Sequence, residues 1–463
     1  MPGAFHGLGL ASNALRAFQR ALDTTGHNIA NVNTPGYSRQ VIDFAPTEPI
    51  PFYDQGGRHQ LGTGVTVASL NRIRDMFLES RMRQAQGDSQ RFGSLATNLG
   101  QIEGLFNEPG ANGIATALDQ FFNSWSGLSS NPSDPAMRLQ VRSTAQTLAN
   151  RVRGTYDSLR DYQSQLGAEA SQVIQRINNL SETIASLNER IRGAVSTEGQ
   201  PNDLMDQRDL ALQELSGLIN VTTETFSDGS VSVYATQFTL IDSTGARPYP
   251  STFDATAQTV TDGTNTFDVR SGRLLGIFQS IQATNQAMAK LDNLANSLRT
   301  QINGLHQTGV AANGATNVQF FNDPGLPGPQ TGAIDFDLSS ALLASADNIA
   351  AGVSGSAGDG GLALGLSNLR NAPFASMGNK GFQDYYKDTV AQIGQDAAYY
   401  ESTSKTQDSI IAQIDNQRQS VSGVSIDDEM ANMLKFQRSY QAAAKCLTIF
   451  DQVTEDLIGM LKR

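Results

Sequence analysis

The sequence predicts a mainly α-helical protein with a β-rich insertion, in which terminal helices form a coiled coil around a central long-helix bundle. Three observations predict this fold class. Apolar residues keep a three-four spacing at both chain ends, a longer repeat of this kind runs through 135–193, and 219–272 is rich in Thr, Val, Ser and Asp. We expect discontinuous layered domains: a terminal coiled-coil domain (1–40 plus 420–463), a helical-bundle middle domain (41–218 plus 273–307 plus 345–419), and a small outer β domain (219–272, with or without 308–344).

The first helix is indicated by large apolar residues that stand seven positions apart. They are Leu8, Leu15, Leu22 and Ile29. The helix should end within 31–36, because Pro35 disfavours helical geometry for Thr34 and Pro-Gly suits the centre of a type II turn. We expect this turn to redirect the chain towards the middle domain, with Tyr37 packed at the bend. An ordinary surface loop is the alternative.

The last helix repeats the pattern at the other end of the chain. Its apolar row is Met433, Phe436, Tyr440, Ala443, Leu447, Phe450, Leu457 and Leu461. Ser425 is a suitable N-cap, and the acidic first turn favours the helix dipole. Either row could be ordinary bundle core. Two narrow rows without a third partner favour pairing of the ends with each other or with neighbouring subunits, so we expect 4–32 and 426–461 to be unordered in the isolated chain.

The central repeat predicts one long helix. Asp134 is a good N-cap and Pro135 suits the first helical position. A helix over about 135–193 would be roughly 90 Å long and needs partners. The candidate partner helices are 80–105, 112–129, 273–306 and 380–420.

The β-rich insertion is predicted from two Asp-Gly pairs. Asp228-Gly229 and Asp262-Gly263 each separate short strand-like runs, which is a strong hairpin signal. The Gly/Pro-rich segments 308–330 and 352–365 are interpreted as loops and flexible connections. The second lacks the Gly-Lys-Ser/Thr ending of a phosphate-binding loop, so nucleotide binding is disfavoured.

Composition narrows the class of protein. The 463 residues include 33 basic and 45 acidic side chains, a net charge of −12, which argues against nucleic-acid binding. Cys446 is the single cysteine, and the four histidines are scattered without a metal-ligand spacing. No run reaches the length of a membrane span. We therefore expect no metal, no cofactor, no nucleic-acid partner and no membrane insertion.

The densest carboxylate clusters near a possible catalytic site lie at 335–337 and 427–429. Asp335 and Asp337 alternate with apolar residues and are expected to face solvent, whereas 427–429 is interpreted as a helix start. Neither cluster has a histidine or lysine close in sequence to act as an acid–base partner. We expect no catalytic residues and no enzyme activity.

Two further segments carry a resemblance to a known family. Residues 27–40 (HNIANVNTPGYSRQ) and 436–445 (FQRSYQAAAK) resemble the two terminal signatures of bacterial flagellar rod, hook and hook-associated proteins. The Pro-Gly-Tyr-Ser-Arg form of the first, together with 131–138 (NPSDPAMR) and 201–209 (PNDLMDQRD), is similar to the junction proteins between hook and filament. The resemblance defines a hinge motif of Asn28, Asn31, Thr34, Pro35, Gly36 and Tyr37. It also defines a core-domain signature of Asn202, Asp203, Leu204, Asp206, Arg208 and Asp209.

The resemblance implies a structural subunit at the hook–filament junction, on which filament growth depends. It implies contacts with further copies of the chain in a ring-like or helical oligomer, with hook protein, with a second junction protein, and with an export chaperone near the C-terminus. It also implies export through the flagellar type III apparatus without a cleaved signal peptide, and an extracellular location. A hook or distal-rod protein, a flagellar peptidoglycan hydrolase and a secreted adhesive protein are the alternatives.

Overall fold

The computed structural model describes residues 5–54, 57–197, 200–322 and 332–461. The mainly α fold class with a β insertion is confirmed. Contacts group the chain into two compact units, each built from separated segments. Unit 1 comprises Met1–Gly87, Arg176–Tyr249 and Gln407–Arg463, and unit 2 comprises Asp88–Gln175 and Pro250–Thr406. The division into three layered domains stays a prediction.

The described helices follow the predicted order, and five of them closely match the bundle segments. They are α1 (Phe5–Ala30), α2 (Met76–Phe106), α3 (Ile114–Ser130), α4 (Pro135–Thr197), α5 (Asn202–Leu218), α6 (Gly272–His306), α7 (Ser340–Ala344), α8 (Gly361–Asn368), α9 (Phe382–Ser422) and α10 (Ile426–Leu461). Helix α5 was not predicted as a helix. Its buried face carries Asn202, Asp206 and Arg208, so the apolar periodicity is weak there.

Helix α4 confirms the central repeat. Both predicted rows are buried along its length, namely Leu159, Leu166, Val173, Leu180 and Leu187, with Ala170, Ile177, Ile184 and Ile191. The helix begins at Pro135 as predicted, and the Asp134 carboxylate accepts a 2.8 Å hydrogen bond from the amide of Ala136. This carboxylate satisfies one of the amides that a helix start leaves without an internal partner.

The described strands form small antiparallel sheets. They are β1 (Gln40–Pro46), β2 (Ile50–Asp54), β3 (Gly57–Leu61), β4 (Val65–Arg72), β5 (Thr222–Thr225), β6 (Val231–Ala235), β7 (Phe238–Asp242), β8 (Gly245–Ala246), β9 (Thr252–Asp254), β10 (Thr259–Thr261), β11 (Thr266–Asp268), β12 (Val310–Ala311) and β13 (Ala350–Gly352). β5–β8 form one sheet in that order, and β9–β11 form another.

Both Asp-Gly hairpins are confirmed. Asp228-Gly229 joins β5 to β6, and Asp262-Gly263 joins β10 to β11. Both glycines have positive φ, 80° and 92°, which residues with a Cβ adopt only at a cost. The pairs β1–β4 and β2–β3, in contrast, were not predicted, although the sequence carries a Gly-Gly turn pair at 56–57.

In unit 1, α1 packs against α10 and against the β1–β4 pair. The most buried positions of α1 are occupied by small residues. The fully buried positions of α1 are Ala11, Ala17, Ala21, Thr25 and Asn28. Small side chains let two helices approach closely, so this pair is held at short range by backbone and methyl contacts.

Unit 2 contains a large aromatic core. Phe121, Trp125 and Phe320 are completely buried, and the Trp125 and Phe320 rings lie 5.2 Å apart. His306 is also buried beside them, where its Nδ1 lies 2.7 Å from the carbonyl of Val318 and its Nε2 accepts from the amide of Ala350 at 3.0 Å. Burial lowers the pKa of His306 to about 4. The imidazole is therefore a neutral core group.

Two expectations about unit 2 need correction. Asp335 and Asp337 do not simply face solvent: both are half-buried, and they pair with Arg299 at 3.0 Å and with Arg153 at 2.6 Å. The segment 352–365 is also more ordered than a flexible connection. The Asp359 carboxylate accepts from the hydroxyl of Ser354 and from the amides of the residues at 353, 354 and 361. These hydrogen bonds, that of the Ser354 hydroxyl above all, lower the pKa of Asp359 to about 2. Part of the other predicted loop, 323–330, lies outside the described residues.

Candidate assembly site

Three distant parts of unit 1 meet where α1 ends. They are the turn 31–38, the start of α5 and the first turn of α10, and we call their meeting point the corner. The two motifs that the resemblance defined, at 28–37 and at 202–209, both lie in it. The structure thus brings together residues that the sequence places more than 160 positions apart.

The turn has the predicted form. Helix α1 ends at Ala30, the amide of Tyr37 donates to the carbonyl of Thr34 at 3.2 Å, and Gly36 has a φ of 79°, as the second central residue of a type II turn requires. The Asn31 side chain donates to the carbonyl of His27 at 3.0 Å and so caps the end of α1. Pro35 itself is exposed.

Asn28 joins the end of α1 to the start of β1. Its Nδ2 donates to the carbonyl of Gln40 at 2.9 Å, and its Oδ1 accepts from the amide of Gln40 at 3.0 Å. The buried side chain therefore pairs with the strand as a neighbouring backbone would. Tyr37 also donates its hydroxyl proton to Asn28 Oδ1 at 2.8 Å. Burial, together with the nearby carboxylates, raises the pKa of Tyr37.

Asp206 of α5 fixes the chain just after the turn. Its carboxylate accepts from the amide and the hydroxyl of Ser38 at 2.9 and 2.8 Å, and from Arg72 at 2.7 Å. All three donors lie on other segments of the chain. A buried carboxylate with three donors is well compensated for its loss of water.

The remaining signature residues surround Asp206. Asn202 donates to the carbonyl of Leu70 at 3.1 Å, Asp203 accepts from the Gln40 side chain at 2.9 Å, and Asp209 binds both Arg72 and Arg74. Arg208 points the other way and donates to the carbonyl of Gly229 at 2.6 Å, which ties α5 to the β5–β6 turn. Burial lowers the pKa of Arg208. Leu204 is half-buried.

Glu429 was missed as a site residue by sequence reasoning, which took 427–429 for a helix start. Its side chain is 2% exposed, and Arg39 reaches it with Nε and Nη2, each at 2.7 Å. Asn28 Nδ2 donates to the other carboxylate oxygen at 3.1 Å. The first turn of α10 is therefore bound to the N-terminal turn by charge-assisted hydrogen bonds. The one sequence signal for a carboxylate partner was the position of Arg39, which lies close to the hinge motif.

The predicted assembly residues occupy the edges of the α1–α10 contact. Those that are half-buried are Leu8, Leu15, Leu22, Ile29, Met433, Phe436, Tyr440, Leu447 and Phe450. Leu457 is exposed, and the side chain of Leu461 lies outside the described residues. The most buried positions of α1 are instead the small residues. At Gly7 a Cβ would overlap the Phe450 ring, so a glycine permits this approach.

Comparisons with known proteins agree with this geometry. A family model described as the flagellar hook-associated protein FlgK helical domain matches residues 99–321, and models for flagellar rod proteins match 8–37 and 415–460. Flagellar hook-associated protein 1 of Bacillus subtilis is 29% identical over 500 residues, covering 99% of each chain. The chain is thus similar to flagellar hook-associated protein 1 over nearly its whole length.

The hook-associated proteins 1 of two other bacteria match this chain to a similar extent. Those of Escherichia coli and Salmonella typhimurium are 27% and 26% identical, and each comparison covers 97% of this chain. The solved flagellar hook junction protein FlgK of Burkholderia pseudomallei superposes with a TM-score of 0.63 at 17% identity. It covers 74% of this chain and 100% of that structure, and it shows the shared fold.

The described residues also bear on two other kinds of site, a membrane span and a metal site. No described helix is long and apolar enough to cross a bilayer. Among the described residues, no group of three or more His, Cys, Asp and Glu side chains could hold a metal ion.

Proposed function

We propose that this chain is a structural subunit of the bacterial flagellum that forms the junction between hook and filament. The single observation that carries the proposal is the corner, because the hinge motif and the core-domain signature, which resemble those of hook–filament junction proteins, are joined there by hydrogen bonds. The names of the relatives, flagellar hook-associated protein 1, support the same conclusion.

A second row of apolar residues on α10 supports assembly with neighbours. One side of α10 packs on α1, while another carries Ile449, Val453, Leu457 and Met460, all exposed. Ala442 and Cys446 continue this row at heptad spacing towards the N-terminus of the helix. An exposed heptad row is typical of a helix that pairs with a further helix, so we propose that neighbouring copies, the hook protein and a second junction protein cover it.

The remaining proposals follow from the same family. We propose that the chain is exported through the flagellar type III apparatus without a cleaved signal peptide, that a chaperone binds near the C-terminus before export, and that the division into terminal, middle and outer domains corresponds to layers of the assembled structure. The hinge motif would then define the bend between the terminal and middle layers.

Deletion of the gene tests the proposed function. The deletion strain should make hooks without filaments and release flagellin into the medium, and the wild-type gene should restore filaments. The double variant Ile449→Asp with Val453→Asp should fold but restore few filaments, because charges would line the exposed row. Thr448→Asp with Gln452→Asp is the matched control, since both residues lie off that row, and it should restore filaments fully. Filaments of normal number and attachment in the deletion strain would refute the proposal.

A further inference from the structure

The start of α2 presents an exposed apolar surface with a positive charge. Met76 and Phe77 are 63% and 67% exposed, and the guanidinium carbon of Arg81 lies 5.7 Å from the centre of the Phe77 ring. Within the described residues, no carboxylate pairs with Arg81. We call Met76, Phe77 and Arg81 the basic patch. Phenylalanine, methionine and arginine are enriched at protein interfaces, whereas large exposed aromatics are uncommon on a free surface.

The start of α10 presents a second exposed surface, of opposite charge. Ile426, Met430 and Leu434 are 50%, 47% and 54% exposed and stand four residues apart, so they share one face of the helix. Asp427 lies beside this face and is exposed, and no cation pairs with it in the described part of the chain. We call these four residues the acidic patch. The nearest cations along the helix, Lys435 and Arg438, come after Leu434.

The two patches complement each other but do not cover each other within one chain. The exposures above apply to the single chain, so each patch is open in it. One joins aromatic and aliphatic side chains to a guanidinium, and the other joins aliphatic side chains to a carboxylate. In a contact between the two patches, the apolar side chains would supply the buried area. The opposite charges would fix the orientation of the two surfaces.

We propose that the basic patch of one copy of this chain docks on the acidic patch of the next copy. The contact is heterologous, because two different surfaces meet, and such contacts build rings or helical assemblies. The inference rests on the proposed function, which supplies the repeating assembly. A few side chains on each partner are far below the area of a stable dimer, so the contact acts only where many copies are held together.

Disulfide crosslinking in assembled flagella tests the contact directly. In a Cys446→Ser background, the chain would carry Phe77→Cys together with Met430→Cys, and isolated hook–filament junctions would be oxidised. We expect a ladder of covalent multimers, because each chain then links to two neighbours. Chains with one substitution should stay monomeric, and a mixed assembly of the two single variants should stop at dimers.

Other crosslinking results would overturn the proposal. Assembled junctions that contain the double variant but show no ladder would exclude the contact. A homodimer of Phe77→Cys chains would show that this patch meets itself, and a crosslink to a different protein would show that the occupant is not a second copy. A failure of the proposed function itself is distinguishable, since the chain would then be absent from the junctions altogether.

A charge exchange tests the electrostatic part. Arg81→Glu and Asp427→Lys should each reduce the number of filaments per cell about tenfold, and the two changes together should restore most of it, because the opposite charges then face each other in reversed order. Arg190→Glu is the control, since Arg190 is an exposed arginine on α4, a helix that carries neither patch. Equal losses for Arg190→Glu, or no recovery in the double variant, would contradict the proposed pairing.

Discussion

The aromatic core of unit 2 and the corner of unit 1 hold their residues in opposite ways. In the core, Phe121, Trp125 and Phe320 are completely buried and pack ring against ring. In the corner, Glu429 and Asp206 are also buried, but they are held by guanidinium and amide donors. Apolar packing is non-directional and stabilises by the area removed from water, whereas charged hydrogen bonds are directional.

This difference indicates that the two regions have different roles. The core of unit 2 tolerates alternative packings of similar volume, as apolar interiors do. The corner tolerates few alternatives, because each charged group lacks a partner if the geometry changes. We therefore interpret the core as the main source of stability and the corner as the device that sets the position of α1 and α10. Three measurements would break or sharpen this comparison.

The largest effect is expected in the core. Trp125→Ala should lower the free energy of unfolding by about 3–5 kcal/mol, because a large buried ring is replaced by a cavity. Urea unfolding followed by circular dichroism measures this, since Trp125 is the single tryptophan and fluorescence would be lost with it. Trp125→Phe is the control and should cost less. A loss below about 1 kcal/mol for Trp125→Ala would contradict the role assigned to the core.

The pH dependence of unfolding should report the same core. The pKa of His306 is about 4 in the folded chain, below the ordinary value of 6.5, so between these values the unfolded chain binds a proton that the folded chain does not. The contribution of His306 to the free energy of unfolding should therefore be most favourable above pH 6.5. It should fall by about 3 kcal/mol as the pH drops to 4. Other groups titrate in this range, so the difference between wild type and His306→Gln isolates the contribution. The same pH dependence of the free energy of unfolding in both proteins would refute the contribution of His306.

The smallest effect on stability is expected at the corner. Asp206→Asn keeps the volume but removes the charge that Arg72 and Ser38 bind, and should cost about 1–3 kcal/mol. The matched control is Asp203→Asn on the same turn of α5, where the side chain is largely exposed, and it should change stability by less than about 0.5 kcal/mol. Denaturant unfolding compares them. Equal effects of the two substitutions would show that the buried network contributes no more than the surface.

The sequence was sufficient for the long helices but not for their contacts. The apolar periodicity predicted α4 and its buried rows, because apolar residues recur at every turn of that helix. The Asp-Gly pairs predicted two hairpins. The bond between Arg39 and Glu429 joins residues 390 positions apart, and a single polar contact has no periodic signal. The leucine row of α1 is half-buried in the single chain, and its role in assembly stays a prediction. Large side chains are conspicuous in a heptad, whereas the closest approach needs glycine and alanine.

The span of the corner along the chain has a consequence for the order of folding. Asn28 and Glu429 are 401 positions apart, so nearly the whole chain must be present before their bond can form. Closing so large a loop is slow and costs conformational entropy. That cost is offset only when the hydrogen bonds of the corner have all formed. A chain cut short before α10 would keep every helix of unit 2 and still leave Arg39 without its carboxylate. The corner therefore forms only after α10 has packed at the end of α1, and a chain that lacks this last helix cannot form it.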